Sequence, residues 1–253
     1  MLSEVLIQQQ DGVLIVTINR PEAKNAVNRA VAEGIAAAME QLDSDKSLNA
    51  GIITGAGGTF CSGMDLKAFL TGELPIVKGK GFAGLVEAPP QKPLIAAVDG
   101  YALAGGMEIA TACDLLVANS QAKFGIPEVK RSLVAAGGGL LSLPAIMGKR
   151  IAMELALTGD FFSAQRAYEV GFVNRLTDGA AIDGALELAA TIAANGPLAL
   201  IATKRILNER PDWNSGDMWN NQTAITMPVM MSKDAKEGAR AFAEKRRPYW
   251  SGE

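Results

Sequence analysis

The 253-residue sequence contains no histidine. Ser-His-Asp and Cys-His nucleophilic mechanisms are therefore excluded, as is any metal site ligated by imidazole. Cysteine is almost absent too: Cys61 and Cys113 are too few for a thiolate zinc site or a disulfide scaffold. No charge of one sign dominates, with 24 Lys and Arg against 27 Asp and Glu and a formal net charge of −3. That balance argues against nucleic acid as the main partner. Uncharged stretches such as residues 132–148 are broken by Gly and Pro, so none reads as a membrane span. The amino terminus is polar and carries no secretory pattern, which makes a cytoplasmic protein the expectation. Proton chemistry at neutral pH is left to carboxylates, Lys, Tyr or Cys.

What is present is ordinary globular material, 49% hydrophobic, in a chain long enough to bury a core without disulfides or structural metal. No linker, low-complexity tract or strict repeat divides it. The β-branched run at residues 12–18 predicts a buried strand, stopped by Arg20-Pro21-Glu22. Val31, Ile35, Ala38, Met39 and Leu42 then share one face of a helix, with Asn28 as its N-cap. Residues 50–54 predict a second strand, ending in the turn Gly55-Ala56-Gly57-Gly58. Strands at 94–98 and 115–118 flank a small-residue helix at 105–112. Alternation of this kind predicts an α/β core. From about residue 137 the pattern becomes mainly helical, with helices expected over 163–170, 182–195, 197–209 and 235–245.

The glycines after the second strand invite a dinucleotide-binding reading, which fails on inspection. A Gly-x-Gly-x-x-Gly fingerprint needs glycine where Phe60 stands, and no acidic residue ends the next strand at the right distance. The Tyr-x-x-x-Lys pair of short-chain dehydrogenases is missing, because Gly105, Phe172 and Glu253 follow the three tyrosines at that spacing. No Walker loop or Gly-x-Ser-x-Gly elbow occurs. Residues 96–128 are more informative. Gly105-Gly106 opens a helix whose first N–H groups are free of intrahelical partners, and Glu108 lies in its first turn. Glu128 follows a strand-like segment and the turn Gly125-Ile126-Pro127. Upstream, residues 61–66 offer another bend where a backbone N–H can face a cavity. Two convergent N–H donors with two carboxylates suit chemistry on a carbonyl whose oxygen gains negative charge. Taken singly, each feature also has a plain structural explanation: close packing for Gly-Gly, a dipole partner for Glu108, a solvated turn for Glu128.

Several motifs in order resemble the enoyl-CoA hydratase/isomerase, or crotonase, superfamily over nearly the whole chain. They are Asn19-Arg20-Pro21 through Asn25-Ala26; Phe60-Cys61-Ser62-Gly63-Met64-Asp65-Leu66; residues 97–114 with Gly-Gly-x-Glu; and Phe124-Gly125-Ile126-Pro127-Glu128. Leu157-Thr158-Gly159, Gly171-Phe172-Val173-Asn174 and Phe242 with Glu244-Lys245-Arg246 complete the set. Any one motif is weak, whereas the ordered set is specific. The resemblance is to a hydratase-like bacterial subgroup.

The resemblance implies an α/β, crotonase-like spiral of ββα units over residues 1–195, a helical trimerisation region over 196–253, and a homotrimer or dimer of trimers. The implied substrate is an acyl-CoA thioester, with no cofactor beyond the CoA of the substrate and no metal. Its thioester oxygen would be gripped by the amides of Met64 and Gly105. Met64, Asp65, Leu66 and Lys67 would line the substrate, and Lys24 and Ala26 would lie near the adenine end of CoA. Glu108 and Glu128 correspond to the hydratase acid/base pair, with Glu108 activating water for C3 and Glu128 exchanging a proton at C2. The implied activity is enoyl-CoA hydration. The alternatives are enoyl-CoA isomerisation, a carnitinyl-CoA-type dehydration, or non-catalytic acyl-CoA binding. Two departures stand out: Met64 occupies a position usually small in hydratases, and residues 129–138 differ from the common pattern. Phe69, Leu70 and Phe82 are candidates for the acyl pocket or for ordinary core. The basic residues between Lys233 and Arg247 are read mainly as a solvated face, Cys61 and Cys113 as small buried apolar residues, and Trp213 and Trp219 as subunit packing.

Overall fold

In the computed structural model, which describes residues 3–253, strand β1 (Val5–Gln10) pairs antiparallel with β2 (Val13–Ile18). Only Val5 of β1 is buried, so this edge strand lacks the alternation that would have marked it in the sequence. Helix α1 (Arg29–Ser44) follows, capped by Asn28, whose side chain accepts the Val31 N–H; such a cap contributes about 1 kcal/mol. β3 (Ala50–Gly55), the short helix α2 (Leu66–Leu70) and a two-stranded hairpin, β4 (Ile76–Val77) with β5 (Gly81–Phe82), come next. Then follow β6 (Leu94–Val98), β7 (Tyr101–Leu103), α3 (Gly105–Ala112), β8 (Leu115–Asn119) and β9 (Lys123–Gly125).

The main sheet has the order β1-β2-β3-β6-β8, parallel beyond the first pair. Its strands read as continuous apolar runs because both faces are covered. Leu14, Val16 and Ile18 point to one side with α1, whereas Val13, Ile15, Ile52 and Ile95 point to the other. A smaller sheet pairs β7 with β9, and its pattern continues through bridges Cys61–Ala102 and Val27–Met64. Each spiral turn thus lays one strand in the main sheet and one short strand in the small sheet before turning back. Met64, Gly105 and Glu128 each come two or three residues after such a short strand or bridge. The second strand of each unit is what brings them together.

The carboxy-terminal half contains α4 (Gly139–Met147), α5 (Lys149–Thr158), β10 (Phe162–Ser163), α6 (Ala164–Glu169), β11 (Arg175–Thr177) and α7 (Ala181–Ala193). It ends with α8 (Pro197–Glu209), α9 (Met218–Met230) and α10 (Lys233–Glu244). The helical expectation is interrupted by β11, which adds to the main sheet beside β8, and by β10, which joins β9. Both are too short to show periodicity. α7 covers the second face of the main sheet with Ala181, Ala185 and Ala189, small residues that allow close approach. Lys204 on α8 is tied to the sheet by Asp114 at 2.6 Å and the Lys92 carbonyl at 3.0 Å. Among the described residues, no single helix is long and apolar enough to cross a membrane.

Candidate active site

The two expected amides lie side by side. Val27 N–H donates to the Gly63 carbonyl and Asp65 N–H to the Val27 carbonyl, so the Met64 N–H between them points away from that bridge and has no acceptor among the described residues. At the start of α3, the Gly105 N–H is likewise without an acceptor, while the Ala104 carbonyl takes the amides of Met107 and Glu108. The residue before each free amide has a positive φ, +102° at Gly63 and +52° at Ala104. For alanine this is a strained conformation, held by the Ala104 N–H donating to the Gly125 carbonyl. A Cβ on Gly63 would stand 3.1 Å from the Gly105 nitrogen and 2.9 Å from the Ala104 Cβ, so glycine permits the approach of the two segments. Phe82 packs against Gly105, beside the amide pair.

Glu108 projects from the first turn of α3 and is only 4% exposed. Its Oε1 accepts the Gly137 and Gly139 N–H groups at 2.7 and 3.1 Å, leaving Oε2 without a protein donor. Burial raises its pKa, and the two glycine amides oppose that rise. Glu128 opens a tight helical turn, Glu128–Arg131. Its Oε2 is buried and has no hydrogen-bond partner. Burial pushes its pKa up to about 7; the Glu108 charge adds to the rise, and its own amide and Arg131 pull the other way. Glu128, Ile126 and Ala135 also line an open apolar cavity of about 430 Å³, bounded by α4 and α5.

The neighbouring loops are built as a unit. Arg20 donates to the Ala26 carbonyl at 2.6 Å and to the Asp65 carboxylate at 3.0 Å. Asp65 caps α2 through the Lys67 and Ala68 amides. Burial alone would raise the Asp65 pKa, but these amides and Arg20 together lower it. Ser62 N–H donates to the Lys24 carbonyl, and buried Asn25 bonds the Ala56 and Thr59 carbonyls. Lys24 and Ala26 therefore lie against the segment that carries Met64, with Leu66 and Lys67 opening α2 beside them. Among the described residues, no cluster of His, Cys, Asp and Glu is arranged to hold a metal ion.

The enoyl-CoA hydratase/isomerase family profile matches residues 8–253. The chain belongs to the enoyl-CoA hydratase/isomerase family. A crystal structure of an enoyl-CoA hydratase from Mycobacterium tuberculosis H37Rv is 60% identical, covers 99% of this chain and 100% of its own, and superposes with a TM-score of 0.97. The enoyl-CoA hydratase EchA19 of Mycobacterium tuberculosis is 41% identical over 97% of this chain and 95% of its own. A structure of a carnitinyl-CoA dehydratase from Mycobacterium avium 104 is 41% identical, covers 99% of each chain and has a TM-score of 0.78.

Against this family background, the structure sorts the remaining sequence expectations. Gly55 is a packing position, since a Cβ there would stand 2.1 Å from the Thr59 carbonyl oxygen. Both cysteines are free and buried, and burial pushes the Cys61 thiol up to about 12. Phe82 packs beside Gly105 and against the core, whereas Leu70 is 84% exposed and Phe69 lies at the surface, so neither of these two is core. Lys233 and Arg246 pair with Glu253 and Glu237, as expected of a solvated face. The residues missed in the sequence are Gly137 and Gly139, the donors to Glu108. Their only signal was the Gly137-Gly138-Gly139 run.

Proposed function

We propose that the protein reversibly hydrates 2-enoyl-CoA thioesters. Glu108 takes a proton from water through its free Oε2 as the oxygen bonds to C3. The π electrons move onto the thioester oxygen, where the Met64 and Gly105 amides stabilise the enolate. Glu128 then gives its proton to C2. Transfer of the proton from Glu108 to Glu128 resets the pair, and one water has been added in total. The observation that carries this reading is the buried Oε2 of Glu128, which has no hydrogen-bond partner among the described residues, while the Glu108 carboxylate is held by two amides. No metal or separate cofactor enters the scheme.

Lys24 and Ala26 are assigned to the adenine end of CoA, and Asp65, Leu66 and Lys67 to the wall beside the thioester. Residues 196–253 are assigned to subunit packing in a homotrimer or a dimer of trimers. Trp219 and Phe242, 66% and 88% exposed on α9 and α10, support that assignment because isolated surfaces seldom present such side chains together. A cytoplasmic location accords with the two free cysteines.

The test is to mix the protein with enoyl-CoA thioesters, following loss of conjugated absorbance and product mass. A gain of one water is expected. Loss of absorbance without a mass change would instead indicate double-bond isomerisation, and no change with any thioester would overturn the catalytic reading. Sedimentation equilibrium tests the oligomer.

A further inference from the structure

We infer that Arg20 is a positioning residue for the reaction, acting on the Met64 amide through a hydrogen-bonded chain of peptide groups. The inference rests on the hydratase reading for what that amide does. Arg20 lies just beyond β2, and its side chain is only 15% exposed. It is held at both ends. Its backbone N–H donates to the buried Asn25 side chain at 2.9 Å, and its carbonyl accepts the Asn25 N–H at 2.9 Å. At the guanidinium, Nη1 donates to the Ala26 carbonyl at 2.6 Å and Nη2 to Asp65 Oδ2 at 3.0 Å, while Nε faces Glu4 at 3.4 Å. A planar fork of donors can serve these partners at once, which a point-like ammonium cannot.

The Ala26 contact carries the consequence. In a trans peptide the C=O and N–H point in opposite directions. The carbonyl of the Ala26–Val27 peptide faces Arg20, so the N–H of that peptide points away and donates to the Gly63 carbonyl at 2.8 Å. That carbonyl belongs to the Gly63–Met64 peptide, whose N–H is the free Met64 amide. Guanidinium, first peptide, second peptide and substrate oxygen thus stand in series. The cation polarises the first carbonyl, each N–H down the chain becomes a better donor, and the gain arrives where the enolate charge develops. The same contacts fix the plane of the second peptide, with Asp65 N–H returning to the Val27 carbonyl at 2.9 Å. The Gly105 amide is backed differently: the carbonyl of its peptide, on Ala104, accepts the Met107 and Glu108 amides, so helix α3 and its dipole stand behind it. Each of the paired amides has its own source of positive potential, and for Met64 that source is Arg20.

The experiment uses the full-length protein and two variants. Arg20→Lys keeps a cation for Asp65 and Glu4, but its ammonium is drawn to those carboxylates and leaves the Ala26 carbonyl. Arg20→Met removes the cation altogether. The readouts are kcat and KM for crotonyl-CoA, and the infrared carbonyl stretch of bound butyryl-CoA, an unreactive saturated thioester isotopically labelled at that carbon. In Arg20→Met, kcat should fall about tenfold, less than for outright loss of an oxyanion donor. In Arg20→Lys it should fall about threefold, and in both KM should hold within about twofold. The downshift of the carbonyl stretch on binding should shrink in the same order. Arg205→Met, which breaks an exposed helical pair with Glu209, should leave both readouts unchanged.

Wild-type kcat with an unaltered carbonyl stretch in Arg20→Lys would overturn the chain and leave the hydratase reading standing. A fall in kcat with an unaltered stretch would overturn it too, because Arg20 would then act on folding or on the glutamates. So would the absence of any downshift in the wild type. If circular dichroism shows that Arg20→Met does not fold, Arg20→Lys decides alone. If the wild-type protein hydrates no thioester, yet shows the downshift and loses part of it in Arg20→Lys, the chain stands and the hydratase reading falls.

Discussion

Two short helical segments, α3 and the turn at Glu128–Arg131, both carry a glutamate in their first turn, Glu108 buried and Glu128 half-buried with its Oε2 shut off from solvent. The surroundings differ. Glu108 meets two N–H groups from the loop before α4, whereas one oxygen of Glu128 meets no donor and is walled by aliphatic side chains. The same side chain is thereby given two characters, one supported as an anion and the other held as an acid. Hydration needs both, because water must lose a proton to one group as C2 gains one from another. The pair resembles other enzymes in which two carboxyls are given different roles by their surroundings.

The largest effect expected is from removing either carboxyl. Glu108→Gln and Glu128→Gln should each lower kcat for an enoyl-CoA by about 10²–10⁴-fold, read by absorbance. The two should part company in stability. Glu128 holds its proton up to about pH 7 in the folded protein, while the unfolded chain releases it near 4.5. Over that interval the unfolded state binds fewer protons, so stability falls as pH rises, and the full loss is present above about 7. Glu128→Gln should therefore raise stability at pH 8, read by denaturant titration. Unchanged stability would mean that the Glu128 carboxyl is solvated after all.

Gly137→Ala comes next. Its Cβ would lie 2.6 Å from Glu108 Oε2, so the carboxylate must move. A loss of roughly 10–100-fold in kcat is expected, with Gly179→Ala, where the added carbon meets nothing within 4 Å, as the silent control. The pH profile gives a smaller but more diagnostic signal. The alkaline limb of kcat/KM for hydration should fall through about pH 7 as Glu128 loses its proton, and that limb should vanish in Glu128→Gln. Arg131→Met should have the least effect. Arg131 favours the ionised form of Glu128, so its removal should move the limb to higher pH with little change at the maximum.

Much of this was legible in the chain. The β-branched run before Arg20 and the repeat of Val31, Ile35, Met39 and Leu42 predict β2 and α1 because burial on one or both faces leaves a periodic trace. β1, β10 and β11 escaped because an exposed edge or a strand of two or three residues leaves none. The glutamates and the glycines at the two free amides, Gly63 before Met64 and Gly105 itself, stood out in the ordered motifs, but the partners of the glutamates did not. Gly137 and Gly139 lie about thirty residues from Glu108, and a backbone N–H has no residue-type signature.

The sequence by itself determined the family, through its ordered motifs, and the residue types available for proton transfer and the apolar strands of the main sheet, since motifs, composition and periodicity are all read along the chain. The tertiary structure decided which glutamate is hydrogen-bonded and which is not, that the amides of Met64 and Gly105 stand free together, and how much apolar space lies beyond Glu128. Those depend on solvation and on contacts between segments far apart in the chain, and a carboxyl group acquires its acidity only from what surrounds it.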